Sequence, residues 1–272
     1  AGAVHDTIVL FASVRHKGKS LSRIAEYEIG KLTGTVASFA VLFILILTLA
    51  GLSIAVVNAM FSSPWGTYTV VCTLPIAFIM GLYLHRFRPG DVKGASVIGV
   101  ALLFLTIVTG PYIAADPALA AMFTFSKKQI ALFIPTYGFI ASVLPVWLLL
   151  CPRDYLSTYL KIGTIIMLAL GIAVVHPTLA MEAVTKYAAG GGPIIPGAVF
   201  PFVFITIACG ALSGFHAVIG TGTTPKMIGN EREILFVGYG AMLTEGFVAI
   251  MALIAACVLV PADYFAINTA PK

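Results

Sequence analysis

Residues 33–60 read TGTVASFAVLFILILTLAGLSIAVVNAM, without one charged side chain. The hydrocarbon core of a bilayer is about 30 Å thick and is crossed by about 20 apolar residues in an α-helix, so this stretch is long enough to span it. Uncharged runs of similar length recur at residues 67–84, 95–115, 129–150 and 198–220, and residues 234–260 form another, interrupted only by Glu245. Residues 162–175 are shorter but are extended backwards by 155–160, and residues 1–14 supply a partial span. The pattern predicts an all-α, polytopic transmembrane bundle, with seven complete spans and one partial span in a single domain over residues 1–272.

Composition points the same way. Of 272 residues, 60% are hydrophobic and 10% charged, against about 25% charged in soluble domains. That excludes an ordinary water-soluble fold, and the apolar content excludes disorder. The net charge of +5 lacks the dense Lys/Arg stripe that nucleic acid requires. Cys72, Cys151, Cys209 and Cys257 have no CxxC spacing and read as small buried hydrophobes; neither a disulfide framework nor a metal site follows from them. The start at Ala1, without Met or a basic leader, reads as a piece of a longer protein.

If every span crosses, 12 of the 16 Lys and Arg residues share one side, and Lys127, Lys128, Lys186 and Lys272 share the other. The positive-inside rule makes the first side cytoplasmic. Pro75, Pro135, Pro145 and Pro201 fall inside spans, where each removes a backbone donor and kinks the helix.

The acids left within spans are Asp6 and Glu245. A carboxylate at the bilayer centre costs roughly 2.5–3.5 kcal/mol on insertion scales, so each needs a reason. At 100° per residue, Gly238, Ala241, Ala249 and Ala252 share the face of Glu245, while Phe236, Leu243, Phe247, Ile250 and Ile254 lie opposite. The small face therefore turns Glu245 towards protein, as a proton-coupling carboxylate or as a protonated bridge between helices. Asp6 follows His5 on the partial span and is a second proton-coupling candidate.

The segment CGALSGFHAVIGTGTTPK, residues 209–226, is too rich in glycine and hydroxyls for a regular helix throughout. Gly210 and Gly214 form a GxxxG packing pair. Residues 220–226 read as unwound backbone able to hold a carboxylate or ion, or as a turn capped by Thr223 or Thr224. Ser213, Gly214, Gly220, Gly222, Thr223 and Thr224 are the substrate-binding candidates. His216 between them is a proton relay or a structural hydrogen-bond partner. Arg153 in CPRDYLSTYLK, residues 151–161, reads as a local pair with Asp154. No HExxH, GxSxG or paired-carboxylate centre occurs, so enzymatic chemistry and a cofactor are not expected.

The words AGAVHD (1–6), CPRDYLSTYLKIG (151–163), FPFVFITIACGALSGFHAVIGTGTTPK (200–226) and GYGAMLTEG (238–246) together resemble the carbon starvation protein A (CstA) family over essentially the whole chain. The resemblance implies a multi-pass protein of the cytoplasmic membrane that takes up peptides or pyruvate, in some cases with protons. It also implies an inverted-repeat fold with broken helices, like the amino acid, polyamine and organocation transporters. Family helices upstream and downstream would be absent from this piece. Its partners would be the lipid bilayer, a small carboxylate-bearing solute and the proton, with no nucleic acid. The oligomeric state is left open. A nutrient sensor that binds such a ligand without transport is the alternative.

Overall fold

The computed structural model describes residues 1–269, the side chains of residues 209–211 excepted. Cys209, Gly210 and Lys272 of the readings above therefore lie outside what is described. The chain is 77% helical, with no strand among the described residues. It forms two compact units, one of residues 1–48 with 167–272 and one of residues 49–166.

The first unit contains α1 (Gly2–Arg15), α2 (Leu21–Glu28) and the start of α3 (Lys31–Met60). The second holds the rest of α3, then α4 (Pro64–Leu82) with a closing π-helical turn (Tyr83–Phe87), α5 (Val92–Ala115), α6 (Pro117–Phe123), α7 (Lys127–Val143) and the start of α8 (Leu150–Val175). The chain then returns to the first unit with the rest of α8, α9 (Val199–Ala211), α10 (Gly214–Gly220), α11 (Thr224–Met227), α12 (Glu233–Val258) and α13 (Pro261–Asn268).

Among the described residues, five helices are long and apolar enough to cross a membrane: Lys31–Met60, Pro64–Phe87, Val92–Ala115, Leu150–Val175 and Glu233–Val258. Their outward side chains are those a bilayer would cover. On α3, Phe39, Leu42, Phe43 and Ile46 are all exposed, an apolar surface far too continuous for water.

The other two long apolar runs are divided. In 129–150, Pro145 has no N–H and biases Leu144 away from the helical region; Leu144 is extended (φ −71°, ψ 149°) and ends α7. A turn follows, with the Leu148 N–H donating to the Pro145 carbonyl at 2.9 Å, before α8 begins. In 198–220 the break falls at Leu212 (φ −154°, ψ 78°) and Ser213 (φ −79°, ψ 121°). There the Ser213 hydroxyl accepts the His216 N–H at 3.3 Å and so starts α10, as serine at an N-cap does.

In the second unit, Ile76, Met80, Ala95, Leu103 and Leu156 form the buried core. Small residues let its helices approach. The Met80 side chain lies where a Cβ on Gly99 would stand, and a Cβ on Gly81 would be 2.5 Å from the Leu148 carbonyl oxygen. Arg153 lies over the Tyr137 ring, 4.9 Å from its centroid. The expected pairing with Asp154 does not form among the described residues, because the guanidinium turns to the aromatic face, where its attraction to the ring quadrupole replaces the ion pair.

Asp91 starts α5. Its Oδ1 accepts the Gly94 N–H at 3.0 Å and its Oδ2 accepts the Tyr83 hydroxyl at 2.9 Å. The hydrogen bond from the Gly94 backbone, followed by that from Tyr83, holds its carboxyl below the ordinary value of 3.8. A carboxyl depressed in the folded state stabilises the fold above its unfolded pKa, and this contribution is lost as pH falls through the folded value. Asp91→Asn keeps a capping side chain but removes the charge. The melting-temperature gap between wild type and variant, measured in detergent, should narrow between pH 6 and the acid limit; a gap that stays constant or widens would refute the assignment.

Candidate functional site

Glu245 is residue 13 of the 26 in α12. At a rise of 1.5 Å per residue it sits about 18 Å into the helix, near the middle of a bilayer. Hydropathy alone leaves a carboxylate there without compensation, so the neighbouring helices supply it.

The helix α1 crosses α12 at Gly238. A Cβ on Gly238 would stand 2.8 Å from the Thr7 Cα and 3.2 Å from the Thr7 nitrogen, so only glycine allows this approach of backbone to backbone. Gly238 shares the face of Glu245, and the close crossing brings Asp6 of α1 to the same level. The bulky face behaves as its composition predicts: Phe236, Leu243, Phe247 and Ile250 are exposed. Of the small face Gly238 alone is buried, while Ala241, Glu245, Ala249 and Ala252 are exposed.

Between α1 and α12 lies the imidazole of His216, on the short helix α10. Its Nδ1 is 3.0 Å from Asp6 Oδ2, and its Nε2 is 3.5 Å from Glu245 Oε2. On the other side of Asp6, His5 Nδ1 is 2.8 Å from Oδ1. Thus His5, Asp6, His216 and Glu245 form one chain of contacts over α1, α10 and α12, within the first unit. Asp6 and His216 are well covered, with side chains 18% and 22% exposed, whereas Glu245 is 46% exposed. The separations give no set of three donors grouped for a metal ion among the described residues.

The chemistry of an imidazole with a carboxylate at each nitrogen is restrictive. A neutral ring donates from one nitrogen and accepts at the other; only imidazolium donates from both. The two contacts of His216 therefore need two protons between them. Either the ring is charged between two carboxylates, or it is neutral and one carboxyl is protonated. With an imidazolium, the Asp6–His216–Glu245 group carries a net charge of −1.

A cavity of about 280 Å³ opens beside this chain. Asp6, His216 and Glu245 form its polar end, and Leu10, Ile219, Gly220, Thr224, Val237, Gly238, Ala241 and Met242 form its wall. Of the substrate-binding candidates, Gly220 and Thr224 thus border the cavity. Ser213 instead starts α10, Gly214 is its first residue and packs near Ile44 Cδ1, and Gly222 and Thr223 sit in the turn before α11. In that turn the N–H groups of Thr221, Gly222 and Lys226 donate to the carbonyls of Ala217, Ile219 and Thr223, so much of the local amide capacity is already used. The buried Thr221 hydroxyl donates to Ala217 O at 2.8 Å and accepts the Leu21 N–H at 3.1 Å, fixing the end of α10 against the start of α2. His5 joins the cluster through Asp6, and its only signal in the sequence is its place beside that acid.

A sequence model of the family described as carbon starvation protein CstA matches residues 1–272. The peptide transporter CstA of Campylobacter jejuni is 56% identical over 99% of the chain and 38% of its own length. The pyruvate/proton symporter BtsT of Escherichia coli is 53% identical over 100% and 38%, and the peptide transporter CstA of Bacillus subtilis is 49% identical over 100% and 45%. The chain therefore spans about two fifths of the length of these relatives. No solved structure matches it significantly.

Alanine at Gly238 tests the helix crossing that assembles the cluster. Glycine to alanine inside a helix gains about 1 kcal/mol of propensity, whereas forcing a methyl into a closed contact costs about 1–3 kcal/mol. Gly240 has nothing within 4 Å of its Cβ position. In thermal unfolding in detergent, Gly240→Ala should be neutral or stabilising and Gly238→Ala destabilising. Equal gains for both would show that α1 does not press on Gly238.

Proposed function

The chain belongs to the carbon starvation protein CstA family, and from that premise we propose that the protein is a proton-coupled transporter that takes up a small carboxylate-bearing nutrient, peptide or pyruvate, across the cytoplasmic membrane. The carrying observation is His216 held between Asp6 and Glu245. A second support is that one close relative bears the name of a proton symporter. Lys and Arg cluster on the loops that include Arg15, Lys226 and Arg232, which puts that side in the cytoplasm. The protein is a carrier and not an enzyme in this reading.

Coupling follows from the proton count. With both contacts of His216 protonated, α10 is tied to α1 and to α12 together. Removing one proton leaves a ring lone pair facing a carboxylate oxygen, or two carboxylates beside a neutral ring, and attraction at one contact becomes repulsion. The helix α10 is seven residues long and is bounded by the break at Leu212 and Ser213 and by the turn at 221–223; its end is tied to Leu21 through Thr221, so a shift of α10 carries the start of α2 with it. Each protonation state then favours a different arrangement of α10, and a solute in contact with Gly220 and Thr224 favours one of them. In this scheme Glu245, His216 and Asp6 carry the proton, His5 steadies Asp6, and Ser213 and Gly214 shape the helix that moves.

The native protein in proteoliposomes tests this with labelled pyruvate and labelled L-alanyl-L-alanine, with and without an inward proton gradient. The gradient should drive accumulation of at least one of them. Glu245→Gln and Asp6→Asn should each lower the gradient-driven component at least about tenfold, or about 1.4 kcal/mol of driving interaction. Gradient-driven uptake unaltered in both variants would remove the cluster from the coupling. Binding of a solute without accumulation would favour a sensor.

A further inference from the structure

The cavity beside His216 has a polarity that the proton-coupling role does not use. Its charged groups are two carboxylates and the histidine between them, and neither Lys nor Arg borders it. Such a pocket repels a carboxylate and attracts a cation. Apart from Thr224 its wall is apolar, and at about 280 Å³ it lies just under the roughly 300–1,000 Å³ of ligand pockets for drug-sized molecules. It has room for the end of a small solute.

The position of the cation is set by what each acid already holds. Asp6 is engaged on both oxygens, by His5 at 2.8 Å and by His216 at 3.0 Å. Glu245 has its ion contact with His216 at 3.5 Å, the longest of the cluster's contacts and beyond the 2.7–3.2 Å of an ordinary N–H···O hydrogen bond. Its side chain is also the most exposed of the three. An ionised carboxylate has about four acceptor positions, so Glu245 is the member with acceptor capacity to spare.

We infer that this cavity receives the protonated amino group of the solute, a primary ammonium next to a short apolar side chain, with Glu245 as its acceptor and the apolar wall against the side chain. The inference rests on the proton-coupling reading of the same cluster and narrows its substrate class to amine-bearing solutes, such as small peptides. The ammonium takes an acceptor position of Glu245 that His216 leaves free, and His216 keeps both of its carboxylate contacts. No proton leaves, so solute and proton are carried together, and with an imidazolium the group's net charge of −1 is neutralised by the ligand.

The test compares ligands on wild-type protein, so that no variant has to fold. Calorimetric titration of the native protein in detergent is made with L-alanyl-L-alanine, with its amide, which keeps the ammonium and lacks the carboxylate, and with the N-acetyl dipeptide, which does the reverse. Pyruvate and sodium ions serve as further probes. The dipeptide and its amide should bind without proton release, seen as a heat that does not depend on buffer, and acetylation should weaken binding at least about 100-fold, as when a site built for an N–H donor loses it. Glu245→Gln should weaken the two amines and leave the acetylated peptide unchanged. Equal binding of the acetylated peptide, binding of pyruvate alone, or sodium matching the amide would overturn the inference. Proton-driven uptake that persists while acetylation has no effect would refute this ligand assignment and leave the coupling reading standing; amine selectivity without proton-driven uptake would do the opposite.

Discussion

A carboxylate halfway along an apolar helix needs a proton, a cation or a polar neighbour, and the first unit is arranged around that need. Glu245 stands in the middle of α12 with leucine, phenylalanine and isoleucine on the far side of the same helix. Its charged neighbour has to come from another helix, and His216 fills the role. A lone histidine would still leave one nitrogen to satisfy, and Asp6 meets it. The chain of contacts is therefore constrained from both ends, because removing any member leaves a polar group in a medium where water cannot replace it.

That constraint explains features which otherwise look like helix-breaking accidents. Three helices can share one imidazole only if two of them approach closely, and Gly238 permits α1 to lie against α12 at backbone distance. The histidine must also sit on a segment short enough to be placed between them. Ser213 ends the preceding helix and starts α10 three residues before His216, and Thr221 closes it and secures it to Leu21. Among the described residues of 212–226, Ser213 and Thr221 therefore shape the backbone, and of the glycines and hydroxyls only Gly220 and Thr224 border the cavity.

Hydropathy made the long helices legible: length and lack of charge suffice for most of α3, α4 and α5, whereas α8 shows in sequence as the shorter run 162–175 extended backwards by 155–160 and α12 is interrupted by Glu245. The face of α12 was legible too, because 3.6-residue periodicity separates Gly238 and Ala241 from Phe236 and Leu243. The interruptions were harder to read. Pro145 was visible as a kink, but whether a proline bends a helix or ends it depends on what neighbours offer the freed groups, and here the chain turns and restarts at Leu150. Ser213 looked like a ligand because an N-cap and a binding hydroxyl share the same chemistry in sequence. The joining of Asp6 to His216 lies 210 positions apart in sequence, beyond any local pattern, and His5 acquires meaning only through it.

In the proposed coupling, this cluster would link the charge of the solute to the number of protons the cluster holds. If the solute brought only negative charge to this cavity, its binding would favour extra protons on Asp6, His216 and Glu245, and solute and proton would enter together. If it brings an ammonium, binding opposes a further proton on Glu245 while the rest of the molecule, held elsewhere in the protein, decides the net stoichiometry. Linkage makes the two cases opposite in sign: a ligand that binds the protonated cluster more tightly raises its proton affinity, and one that binds the deprotonated cluster lowers it. Relatives of this chain carry the names of both peptide transporters and a pyruvate/proton symporter, and in the proposed cavity the charge on the solute's head group would select the protonation state that moves.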